Sequence, residues 1–176
     1  MELARRVIEI MLFKRGPQDM PGDSTTLIGS ASVYCILLFA QVSLLASSGS
    51  AVFQAVTATI LLAVYVYGVL QVRKRVHRFA QTATALFATG AVVTLVMLGP
   101  THAIAPYMLA VTQASDPQSV TMPSTLVTLS YVAMGFWGLA VYTHIYRQAL
   151  DSGPWLGFGA TLAFELLLLF VFSIIG

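Results

Sequence analysis

The chain has 176 residues, of which 57% are hydrophobic and only 9% charged, with a mean hydropathy of +0.83. A water-facing surface needs several times more charge, so a soluble domain is excluded and lipid must be the solvent for most of the polypeptide. The formal net charge of +2 comes from side chains crowded at one interface, which fits attraction to anionic inner-leaflet lipids and not a nucleic-acid groove.

Residues 1–25 read as a cytoplasmic segment. Leu3, Val7, Ile8, Ile10, Met11 and Leu12 recur at helical spacing, while Glu2, Arg5, Arg6, Glu9 and Lys14 fill the opposite face. This pattern predicts an amphipathic helix lying in the membrane interface. The same stretch has no apolar core leading to a small-residue cleavage site, so a cleavable signal peptide is not expected. Gly16 to Gly22 carries two prolines and reads as a turn, after which Asp23 or Ser24 is placed to cap the first span.

Residues 26–176 carry five apolar segments, at about 26–47, 52–72, 79–98, 125–146 and 155–175, each 20 to 22 residues long. At about 1.5 Å per residue, each crosses a hydrocarbon core of about 30 Å as a helix. Barrel strands are excluded because the segments lack period-2 alternation. Ser48 to Ala51 must form a tight hairpin, since one continuous helix through both flanking segments would far exceed the bilayer. Between the third and fourth spans lies the longest outer segment, 100–124, with Pro106, Pro117 and Pro123. Its stretch from Ile104 to Val111 is apolar enough to rest on the outer surface or close over the bundle.

All nine basic side chains fall on one side of this pattern. Arg5, Arg6, Lys14 and Arg15 precede the first span; Arg73, Lys74, Arg75 and Arg78 lie between the second and third; Arg147 closes the fourth. Lys and Arg are retained on the cytoplasmic face during insertion, so the N-terminus is expected inside and the C-terminus outside. The expected location is the bacterial inner membrane. The second loop, with Arg73, Lys74, Arg75 and Arg78, is the expected surface for anionic lipids or a partner.

A gapless self-comparison at an offset of 77 aligns Leu62, Ala63, Val64 and Tyr65 with Leu139, Ala140, Val141 and Tyr142. Gln71 then matches Gln148, Ala83 and Thr84 match Ala160 and Thr161, and Phe87 matches Phe164. Spans two and three would duplicate spans four and five in the same membrane orientation, the parallel type of repeat.

Glu165 is the one ionisable residue near the middle of a span. An unpaired carboxylate at that depth is penalised by several kcal/mol, so the side chain must face protein or water. Two readings stand side by side: a proton or cation site, or a protonated carboxyl bonded to a neighbouring helix or another subunit. Tyr34, Tyr65 and Thr89 are the candidate partners at similar depth, and Thr57, Thr84, Thr89 and Thr161 would line a polar path. The repeat puts Ala88 at the equivalent position, so no symmetric carboxylate pair is expected. His77, His102 and His144 are spaced against haem or metal ligation, and Cys35, the sole cysteine, excludes an intrachain disulfide. No cofactor is expected. Enzyme signatures such as GxSxG, HExxH or a Walker loop are missing.

The layout resembles the Yip family of multispan Ypt/Rab-interacting proteins, especially its short bacterial members. The resemblance is carried by the N-terminal segment ending in a turn with Pro17, Asp19 and Pro21, by the five spans, and by the basic loop running into Arg78, Phe79, Ala80, Gln81 and Thr82. It implies a membrane-organising, partner-binding protein without catalysis. The chain lacks the long cytoplasmic extension of eukaryotic members, and no site residue is carried over. The expected function is a non-enzymatic inner-membrane scaffold, assembly factor or accessory subunit that binds other membrane proteins through helix faces or forms a homo-oligomer. The alternative is a small transporter or channel with a proton or cation path through Glu165.

Overall fold

A computed structural model describes residues 2–114, 116 and 119–175, without the side chains of Ser48 and Ile175. The described residues are all-helical, at 84% helix with no strand. Six α-helices follow in order: α1 (Glu2–Met11), α2 (Ser24–Val42), α3 (Ser48–Val72), α4 (Phe79–Gln113), α5 (Thr125–Leu150) and α6 (Pro154–Ile175). The last five are long and apolar enough to cross a membrane, as a multi-pass membrane protein requires.

Helix α4 is the central element: 61% of its most apolar window is buried, against 6–28% in the other four long helices. Its composition explains this position. Thr82, Thr84, Thr89, Thr94 and Thr101 are all buried, together with Ala83, Ala85, Gly90 and Ala91. Small side chains let neighbouring backbones approach, and a threonine hydroxyl can bond a carbonyl of its own helix, as Thr89 Oγ1 does to Ala85 O at 2.7 Å. Helices α2 and α5 pack along α4, α6 packs on α5, and α3 touches α2, α4 and α6.

The helix that carries the third expected span runs past residue 98. Helix α4 continues through Pro100 and Pro106 to Gln113, so the segment from Ile104 to Val111 is part of a helix. Two prolines remove only two N–H donors, a loss that packing against neighbouring helices can absorb. Here Gln41 Nε2 on α2 donates to Thr101 Oγ1 at 3.1 Å, and Ile104 and Ala105 are buried. At about 1.5 Å per residue, 35 residues span about 52 Å, so roughly fifteen residues exceed a hydrocarbon core of about 30 Å. Pro117, expected in the outer segment, lies outside the described residues.

Helix α1 folds only part of its apolar side into the chain: Leu3, Ile8 and the following Leu12 stay exposed. Val7, Ile10 and Met11 are buried, with α1 packed against α4 and α5. The following segment is tied down by His144 of α5, whose Nε2 donates to Arg15 O at 2.7 Å, and by an edge-on contact of its ring with Phe13. The Pro17 turn is a single 3-10 turn, and Asp23 caps α2 by accepting from Thr26 N at 2.8 Å.

Candidate functional site

Glu165 sits in the middle of α6, half-buried, and faces a cavity of about 240 Å³ between α2, α4, α5 and α6. Tyr34 of α2 and Tyr142 of α5 line the same cavity, with Thr94 and Gly90 of α4 and Gly135 and Gly138 of α5. The glycines create the space. A Cβ built on Gly90 would lie 2.4 Å from Tyr142 Oη and 2.9 Å from Tyr34 Cε2, so both rings rest on bare α4 backbone. Tyr142 Oη donates to Leu86 O at 3.3 Å, one turn before Gly90. Among the described residues, no hydrogen bond or ion pair reaches the Glu165 carboxyl.

Of the expected partners, only Tyr34 shares this cavity. Tyr65 points elsewhere, its hydroxyl donating to Ala160 O on α6 at 2.7 Å and its ring packing against Tyr146 and Phe164. Thr89 is buried and spends its hydroxyl on its own helix. None of Thr57, Thr84, Thr89 and Thr161 lines the cavity, where Thr94 is the threonine present. Tyr142 and Thr94 are the components that sequence reasoning does not place beside Glu165. The 77-residue offset carries a signal for one of them, since it pairs Tyr142 with Tyr65, but depth alone cannot tell which tyrosine turns toward the carboxyl.

The basic loop also divides. Arg75 pairs with Asp151 at 3.2 Å, and Arg78 Nη1 reaches Gln148 O and Ala149 O, each at 3.4 Å, at the end of α5. A cation there complements the unpaired carbonyls of a helix C-terminus. Arg73 and Lys74 remain exposed. His77 lies in the turn before α4, and His102 on the distal part of α4, so the three histidines occupy separate places.

Outside the spans, three carboxylates are held below their ordinary values. Glu2 is held down by the hydrogen bond and charge of Arg6, Glu9 by the hydrogen bond from Arg5, and Asp23 by the Thr26 backbone N–H. Glu9 also pairs with Arg15, so it bridges α1 to the chain after it.

The two tyrosines paired by the offset behave alike. Tyr65 of α3 donates to a carbonyl of α6, and Tyr142 of α5 donates to a carbonyl of α4. Shifted by the offset, the Ala160 acceptor corresponds to Ala83, one turn from the observed Leu86. Phe87 and Phe164 are both buried, as are Thr84 and Thr161. No protein-family model, curated protein or solved structure matches this chain.

Proposed function

We propose that the chain is a non-catalytic integral membrane subunit, a scaffold or accessory component that docks on other membrane proteins through its helix faces. The observation that carries this reading is the Glu165 carboxyl, which lies mid-helix on a cavity with no hydrogen-bond partner among the described residues. At that depth an unpartnered carboxyl is penalised by several kcal/mol, so a group from another helix, another protein or a second copy is its natural complement. The expected setting is the bacterial inner membrane with the N-terminus cytoplasmic and α1 at the interface. Arg73 and Lys74 are the basic-loop side chains left to meet anionic lipid or a partner. The layout is the Yip-like one, with α3–α4 and α5–α6 as duplicated pairs; the reciprocal tyrosine bonds support the duplication.

Affinity purification in mild detergent tests the accessory reading. A stoichiometric membrane partner, retained by Glu165→Gln and lost by Glu165→Leu, supports a hydrogen-bonded carboxyl. Recovery of the chain without partner or second copy counts against it.

The cavity itself favours a second reading, a proton or cation pathway, because Tyr34, Tyr142 and Thr94 surround Glu165 with polar groups. Flux into proteoliposomes abolished by Glu165→Gln would establish that reading in place of the first.

A further inference from the structure

A larger space lies elsewhere, an apolar groove of about 520 Å³ between α1, the first turns of α2 and the middle of α4. Leu3, Val7 and Ile8 form one wall, Gly29 and Val33 the second, and Ala88 part of the floor. Three features of the sequence make it: Gly29 has no side chain and nothing within 4 Å of its would-be Cβ, Ala88 is short, and α1 is held away by its own seat on α4 and α5.

We propose that this groove holds one acyl chain of a zwitterionic phospholipid as a bound structural lipid, an inference that rests on the five long helices spanning a membrane. Length supports it. Along α2 the lining runs from Thr25 to Val33, about 12 Å at about 1.5 Å per residue, close to the roughly 15 Å of one leaflet. Depth agrees as well, since α1 and the start of α2 mark one end of the bundle and the groove runs inward from there. An apolar space of this size offers water no hydrogen-bonding partners, and leaving it empty forfeits dispersion contacts along its whole lining. Hydrocarbon is the solvent at hand.

Charge at the mouth selects the head group. Thr26, at the rim, hydrogen-bonds Asp23 at 2.8 Å, and Glu2 pairs with Arg6 beside Leu3. Arg5, next to Ala4, is exposed and pairs with Glu9 at 2.9 Å. Both signs are therefore present within a turn of the opening, which suits a phosphate together with an ammonium better than a purely anionic head group.

Native mass spectrometry of the full chain, released from nanodiscs containing equal parts phosphatidylethanolamine and phosphatidylglycerol, tests this. The expected wild-type spectrum shows one retained phosphatidylethanolamine per chain. Gly29→Leu and Ala88→Leu each project side chains into the groove and should lower the retained fraction about tenfold. Gly68→Leu, at a position with equally open surroundings but away from the groove, should leave it unchanged. Circular dichroism of each variant confirms that its helices persist. Retention by both groove variants at the wild-type level, a detergent adduct in place of lipid, or exclusive retention of phosphatidylglycerol would overturn the proposal.

Discussion

Gly157 is where α6 meets α5 backbone to backbone, and replacing it with alanine should pry the two helices apart. A Cβ there would lie 2.7 Å from Thr143 O, 2.9 Å from Arg147 N and 2.9 Å from Arg147 Cβ. Contacts of this kind relax near about 3.4 Å, and two of the three atoms are backbone, so relief requires a shift of about 0.5–0.7 Å of one whole helix against the other. Overpacking of this kind costs about 1–3 kcal/mol. On the scale of about 2–4 °C per kcal/mol for a chain of this size, the melting temperature in detergent should fall by about 2–12 °C. Gly159→Ala is the internal control: it lies on the same helix with nothing within 4 Å of its Cβ, and should be neutral or slightly stabilising. Melting followed by size-exclusion chromatography of heated samples would read both. Equal melting of the two variants would refute the close-approach argument, because helix propensity alone favours alanine at both positions.

Three further perturbations give contrasting expectations. Tyr65→Phe removes the bond to Ala160 O that ties α3 to α6, and should cost about 0.5–1.5 kcal/mol in the same melting assay; no loss would show that the bond contributes nothing. Tyr146 is 1% exposed with a hydroxyl that has no partner among the described residues, so Tyr146→Phe should be neutral or stabilising, and a large loss would reveal a bond that the fold does not show. Glu2 and Glu9 are held below the ordinary 4.5 by Arg6 and Arg5, so their contribution is complete above that pH and is lost as pH falls through the lower folded values. A nitroxide on Leu12, with Cys35 replaced by serine, should therefore gain mobility as pH falls below 4.5; because Val7, Ile10 and Met11 stay buried, α1 should loosen and not detach. Unchanged mobility on acidification would remove the ion pairs from the account of how α1 is seated.

Much of the architecture is readable in the residues because a bilayer imposes one demand, a run of apolar side chains long enough to close its own hydrogen bonds. The capping role of Asp23 and the turn at Pro17 follow from equally local chemistry. The end of the third span does not, because Pro100 and Pro106 carry the same local signal whether a helix stops or is carried on by packing. What carries it on is Thr101 reaching Gln41, a contact 60 residues apart in sequence. The site divides in the same way. That Glu165 must face protein or a cavity follows from its depth, whereas the choice of Tyr142 over Tyr65 depends on the rotation of two helices about their axes. Hydropathy scarcely varies around α3 and α5, so no sequence period reports that rotation. The splitting of the basic loop is hidden for a related reason: Arg75 and Arg78 find acceptors at the end of α5, more than 65 residues further along the chain.

The proposed duplication accounts for a difference that packing alone leaves unexplained. Helices α5 and α6 are in intimate contact, while α3 and α4 meet only slightly. At the offset of 77, Gly157 corresponds to Ala80, and its contacts Thr143 and Arg147 correspond to Val66 and Leu70. The first pair therefore has the methyl group of Ala80 where the second has a bare glycine, which works against an equally close approach. Helix α4 takes the centre, with α2 packed along it. Helix α2 then borders two chambers: Gly29 and Val33 face the apolar groove at Ala88, and Tyr34 and Leu38 face the cavity at Glu165. Under the proposed duplication Ala88 and Glu165 would be equivalent positions, and the two line different spaces.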